Sequence, residues 1–218
     1  WMHVGFIHGV MNTDNMAITG ETIDYGPCAF MDTFNQAKVF SSIDHMGRYA
    51  YGNQPPIVQW NLARFAETIL PLIDIVPDRA VDFAKEVIED YPKRFREYWL
   101  SGMRQKLGLF TSESEDEALI QSLLQIMQDN EADFTLTFRG LCDSALSPES
   151  EGSLRHLFKD AGAYDKWATD WRVRLSHEVK TPDERVELMH QANPAIIPRS
   201  HRIEQAIKAA VDQEDYGP

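Results

Sequence analysis

His8-Gly9-Val10-Met11-Asn12-Thr13-Asp14-Asn15, followed nine residues later by Asp24-Tyr25-Gly26-Pro27, is the stretch from which the fold can be read. Between the two lies Met16-Ala17-Ile18-Thr19-Gly20-Glu21-Thr22-Ile23, whose composition predicts two short strands around a glycine-containing turn. Asn15 and Asp24 are equidistant from the tip of that expected hairpin. Residues so placed in an antiparallel pair face each other, with Cα atoms roughly 5 Å apart. A carboxamide and a carboxylate then converge on one small volume, with Asp14 beside them as a candidate base. Oxygen ligands suit a hard divalent cation such as Mg2+ or Mn2+. A cation next to a base is how a phosphoryl- or nucleotidyl-transfer site is assembled.

Outward from this stretch the chain is helical. Residues 25–56 hold Gly26, Pro27, Gly47, Gly52, Pro55 and Pro56 and read as a long functional loop. Beyond it, Val58, Leu62, Phe65, Ile69 and Leu72 recur at three- and four-residue steps, which predicts a helix with one apolar face. Pro77 suits the first turn of a second helix, and Pro92 is expected to break or kink it. Ser114-x-x-Glu117 reads as a capping box opening a third helix. Trp167 and Trp171 share a face, and Thr181-Pro182-Asp183-Glu184 combines a cap, a first-turn proline and acids. The last helix is expected near Ser200, using Ile203, Ile207 and Val211. Trp60, Phe65, Trp99 and Leu123 are expected in the core. Residues 147–152, rich in Pro, Ser and Glu, read as a flexible connection. The fold class is mainly α with a small N-terminal β-hairpin that carries the metal site, divided into a functional segment, 1–56, and a helical body, 57–218.

Composition narrows the partners. Lys and Arg number 21 against 34 Asp and Glu, a net charge of −13 in 218 residues. Such a balance repels polyanions and argues against nucleic acid. No run of about 18 apolar residues is present, so no membrane span is expected. Cys28 and Cys142 lie far apart and form no metal or redox motif, which favours a reducing compartment.

The site residues also align with the catalytic loop of kinases, H-R-D-x-x-x-x-N followed by D-F-G. His8 and Asn15 take the first and last places, and Asp24-Tyr25-Gly26 stands for D-F-G. Val10 occupies the place of the catalytic aspartate and can neither accept a proton nor orient a hydroxyl, which argues against an ordinary protein kinase. His8 reads as a structural residue that holds the loop, and Tyr25 as one that packs. Arg48 is open between a phosphate or substrate contact and a pairing with Asp44.

The run Gly5 to Pro27 resembles the selenoprotein-O family of kinase-like protein adenylyltransferases. Phe30-Met31-Asp32, Gly47 to Pro55, Ala132-Asp133-Phe134-Thr135 and Asn193 to Arg199 extend the resemblance along the chain. It implies a kinase-like C-lobe and transfer of AMP from ATP to Ser, Thr or Tyr hydroxyls of proteins, with the nucleotide reversed relative to kinases. Asn15 and Asp24 are then the metal and nucleotide ligands and Asp14 the catalytic base. It also implies that the nucleotide-clamping lobe lies outside this chain, so that residues 1–218 alone are inactive. A bacterial cytoplasmic setting is preferred, with a mitochondrial one open. A phosphotransferase and a non-catalytic helical interaction domain are the competing readings.

Overall fold

In the computed structural model the described residues are 1–147 and 152–217; residues 148–151 of the expected flexible connection lie outside them. Two two-residue strands, β1 (Phe6–Ile7) and β2 (Ala29–Phe30), form one small sheet. The helices are α1 (Gln54–Ile73), α2 (Pro77–Lys106), α3 (Asp116–Asn130), α4 (Phe134–Leu146), α5 (Gly152–Arg155), α6 (Ala161–Leu175), α7 (Pro182–Ala192) and α8 (Ser200–Gln213). The mainly α fold class therefore holds. Two compact units account for the chain: Trp1–Phe6, Ala29–Asn35 and Gly102–Pro218 in one, Ile7–Cys28 and Gln36–Ser101 in the other.

The first unit is a helical core built by the patterns read above. α3 packs on α6 and α4 on α7. Trp167 and Trp171 stack at 5.5 Å, as one helix turn allows, and both are buried. Each indole N–H donates to a backbone carbonyl, Trp167 to Leu119 and Trp171 to Leu107, both at 2.9 Å, so burying them leaves no orphan donor. Leu123 is fully buried as expected. Thr181 and Glu184 form the reciprocal capping box that opens α7.

The other capping box does not form: α3 begins at Asp116, with no side-chain cap. The Asp116 carboxylate takes Nε of Arg174 at 2.7 Å and the backbone N–H of Glu113 at 2.9 Å. A buried ion pair outbids a surface cap in setting where the helix starts. α8 begins at Ser200, but Ile203, Ile207 and Val211 are exposed and no residue of α8 is buried. Arg199, just before it, pairs with Asp32 and with Asp133, the residue that also caps α4.

In the second unit α1 accepts Pro55 and Pro56 in its first turn, where their missing N–H groups cost nothing. α2 runs through Pro92 without a break. Proline there strips the Ile88 carbonyl, four residues earlier, of its helical donor. Gln59 of α1 supplies one instead, its Nε2 donating to the Ile88 oxygen at 2.9 Å. The expected burial of Trp60 and Phe65 fails, at 41% and 40% exposed, and Trp99 is half-buried. Their periodicity is helical as predicted. Periodicity gives the face, while burial depends on what is laid against it.

The hairpin is displaced. Residues 16–23 contain no strand, and the paired strands stand at 6–7 and 29–30. Ile18 is 81% exposed, so the alternation that should have fixed a register has no core to bury against. Gly20 still makes the turn, its N–H bonded to the Ala17 carbonyl at 3.1 Å.

Candidate functional site

Side-chain bonds and one close backbone approach join the two segments in place of the expected ladder. His8 is fully buried. Its Nε2 lies 2.7 Å from the Ile23 carbonyl, which can only accept, so Nε2 carries the proton. Nδ1 then accepts from the Val10 N–H at 3.4 Å. The pair of contacts selects one neutral tautomer and gives His8 the structural role expected of it. Its own N–H donates to Gln54 Oε1 at 3.0 Å, tying the segment to the first turn of α1. Gly9 adopts φ +86°, and a Cβ there would sit 3.0 Å from Pro27 Cγ and 3.1 Å from its carbonyl oxygen. Only glycine lets the two chains approach this closely. His8–Ile23 and Gly9–Pro27 together clasp segment 8–11 to segment 23–27.

Asn15 and Asp24 extend from this clasp. Asn12 to Asn15 form a tight turn, with the Asn15 N–H on the Asn12 carbonyl at 3.0 Å. Asn15 Nδ2 donates to the Val10 carbonyl at 3.1 Å. That bond assigns the amide and leaves Oδ1, the atom a cation needs, as the other end of the group. Asp14, within the turn, is exposed. Asp24 is exposed too and takes the left-handed backbone conformation, φ 53°, which aspartate tolerates better than most residues. Its carbonyl accepts from the Gly26 N–H at 2.7 Å, a three-residue turn that reverses the chain directly after it. Tyr25, at the centre of that turn, is 67% exposed and does not pack as expected. Burial pushes the Cys28 thiol up, with a backbone hydrogen bond partly opposing it. Both cysteines are free.

Among the described residues no group of three or more His, Cys, Asp or Glu side chains is placed to hold a metal. Asn15 Oδ1 and the exposed Asp24 carboxylate are oxygen donors carried by the two clasped segments. Two protein oxygens fit Mg2+ or Mn2+ in a transfer site, since such ions keep waters and substrate phosphates in their remaining positions.

A second layer was not legible in the sequence. The Tyr49 hydroxyl donates to Asn12 Oδ1, bracing the Asn12–Asn15 turn from 37 residues away. Asp44 accepts the backbone N–H groups of Arg48 and Tyr49, both at 2.8 Å. The guanidinium of Arg48 instead lies over aromatic rings, its central carbon 4.9 Å from the Trp60 centroid and 5.6 Å from that of Tyr49. Asn61 of α1, buried, donates to the Met11 carbonyl at 2.9 Å and so anchors the other side of the segment. A polar residue on the otherwise apolar face of α1 was the one available signal for Asn61. For Tyr49 and Asn12 there was none.

The family model described as "Protein adenylyltransferase SelO" matches residues 1–218. Curated relatives named "Protein nucleotidyltransferase YdiU" are similar over nearly the whole chain. One from Rhizobium rhizogenes is 57% identical over 216 residues, 99% of this chain and 43% of the relative. One from Rhodopseudomonas palustris is 55% identical over 218 residues, 100% of this chain and 44% of the relative. One from Rhizobium meliloti is 55% identical over 216 residues, with 99% and 44% covered. The chain thus spans less than half the length of these relatives. No helix among the described residues is long and apolar enough to cross a membrane.

Proposed function

Because the chain belongs to the SelO family of protein adenylyltransferases, we propose that it is the metal-binding and helical part of an enzyme that transfers AMP from ATP to Ser, Thr or Tyr hydroxyls of proteins. The observation that carries this reading is the orientation of Asn15: its amide N–H is committed to Val10, which leaves Oδ1 to a cation, beside a clasp whose other arm leads into Asp24. In this reading residues 1–56 form the functional segment and residues 57–218 the helical body.

Asn15 Oδ1 and an Asp24 carboxylate oxygen are the groups that would hold Mg2+ or Mn2+, which when bound neutralises charge on the nucleotide phosphates. Asp14 accepts the proton of the acceptor hydroxyl as its oxygen bonds to the α-phosphorus and pyrophosphate leaves. His8 keeps the two carboxyl-bearing segments in register through the Ile23 carbonyl. Val10, at the place where kinases carry their catalytic aspartate, contributes no proton acceptor, which favours Asp14 as the base. Residues 1–218 alone, with a net charge of −13, offer little to offset a polyphosphate. Their ATP affinity is expected to be weak, on the order of millimolar, about −4 kcal/mol. The two free thiols and the bacterial relatives support a cytoplasmic setting.

The full-length protein incubated with ATP labelled at either the α or the γ position tests the assignment. Label from the α position is expected on protein, and Asp24→Ala is expected to abolish it. Transfer of γ label alone would establish a phosphotransferase instead. Transfer of neither would leave the helical interaction domain.

A further inference from the structure

Arg48 is a cation held in place but not neutralised. Its Nε donates to the Tyr49 hydroxyl at 3.3 Å, and that hydroxyl donates to Asn12, two residues before Asp14. Two aromatic rings support its guanidinium, and it is solvent-exposed. The nearest acid in sequence, Asp44, is engaged by backbone N–H groups, and no carboxylate pairs with the Arg48 guanidinium among the described residues. In a chain with a net charge of −13, an arginine oriented on aromatic rings with N–H groups open is suited to receive an oxyanion. Arg64 shares the Trp60 ring at 5.6 Å, but its charge is already paired with Glu67 at 2.6 Å.

A groove adjoins Arg64. Arg64 lines a cavity of about 280 Å³ together with Thr13, Met16, Ile18, Val58 and Phe65. Thr13 is the residue directly before Asp14. The walls are mostly apolar, and Asn61, also lining the cavity, carries a buried Oδ1 with no hydrogen-bond partner. A nucleotide polyphosphate calls for several uncompensated cations. One open guanidinium beside an apolar groove matches a carboxylate neighbouring an apolar side chain, which is polypeptide chemistry.

We propose that Arg48 and the groove beside Arg64 form a docking subsite for the acceptor protein, selecting a hydroxyl with an acidic and an apolar residue close to it in sequence. Arg48 is then a specificity-determining residue. This rests on the adenylyl-transfer reading, and the test keeps the two apart. Full-length protein is given α-labelled ATP and synthetic peptides that share one Ser and one Leu, with either Glu or Gln scanned through the three residues on each side.

At the favoured position the Glu peptide is expected to show a KM about fivefold lower, equivalent to about 1 kcal/mol, at unchanged kcat and unchanged KM for ATP. Arg48→Gln should erase the preference, and Arg48→Glu should reverse it toward a Lys-flanked peptide. Each variant keeps the backbone N–H that Asp44 holds, so the loop is retained. Equal KM values for Glu and Gln peptides at every position would overturn the subsite while leaving adenylyl transfer intact. A rise in the KM for ATP in Arg48→Gln, without a change for peptide, would assign the oxyanion to the nucleotide and also overturn it. Absence of α label on any peptide or protein would refute the adenylyl-transfer reading itself, and the subsite with it.

Discussion

Lys106 offers the sharpest test of the packing. It is 1% exposed, its Nζ 2.7 Å from Asn193 Oδ1 and 4.3 Å from the centroid of Phe138. Burial lowers its ammonium from 10.5 to about 7, with a smaller opposing influence from Cys142. In the unfolded chain the amine stays protonated up to about pH 10.4. Between these values the unfolded state binds more protons than the folded one, so stability must rise with pH across the window. The slope approaches about 1.4 kcal/mol per pH unit. From pH 7, where the folded group is half-titrated, to pH 9, the gain is about 2 kcal/mol. Above pH 9 the trend weakens, because burial holds the Cys142 thiol and the Tyr164 and Tyr91 hydroxyls above their ordinary ranges, the latter two at about 12. Those groups keep protons in the folded state that the unfolded chain releases, which has the opposite sign. Lys106→Met removes only the lysine contribution. Urea unfolding followed by tryptophan fluorescence, at intervals from pH 7 to 9, should show the wild-type chain gaining about 2 kcal/mol relative to Lys106→Met. Parallel stability curves for the two proteins would refute the argument, since they would mean the ammonium is not destabilised by burial.

Arg174 bonds Asp116 at 2.7 Å and Glu178 at 2.8 Å, all three side chains being nearly inaccessible. Arg174→Met strands two buried carboxylates and is expected to cost about 3–5 kcal/mol in chemical denaturation; a loss below 1 kcal/mol would show that water replaces the guanidinium. Gln59→Leu returns the Ile88 carbonyl to its unpaired state, and a loss of about 1–3 kcal/mol is expected. An unchanged melting temperature would mean that the carbonyl beside Pro92 finds another donor.

The helices were legible because apolar spacing and caps are local signals: α1, α2 and α6 follow the first, and α7 the second. What spacing could not supply was the partner surface. Leu72, Val87 and Ile207 lie on helices with the right period yet are 84%, 70% and 52% exposed. The start of α3 was misread because Asp116 answers to Arg174, 58 residues away, rather than to Ser114. At the candidate site His8, Asp14, Asn15 and Asp24 could be picked out by residue type and spacing. The means of holding them could not, since two-residue strands carry no period and the Gly9–Pro27 approach and the Tyr49–Asn12 bond are matters of three-dimensional proximity alone.

The clasp bears on how the stretch between its arms can change. In a laddered hairpin each rung depends on the next, and an added residue at the tip would shift every side chain beyond it to the opposite face. Here the position of Asp24 is referred to His8 and Gly9, not to the count of residues from 16 to 22. Gly20, at the turn, has nothing within 4 Å of where a Cβ would lie. The turn at Gly20 is thus the point at which length can change, and descendants of this sequence are free to gain or lose residues there while Asp24 keeps its address.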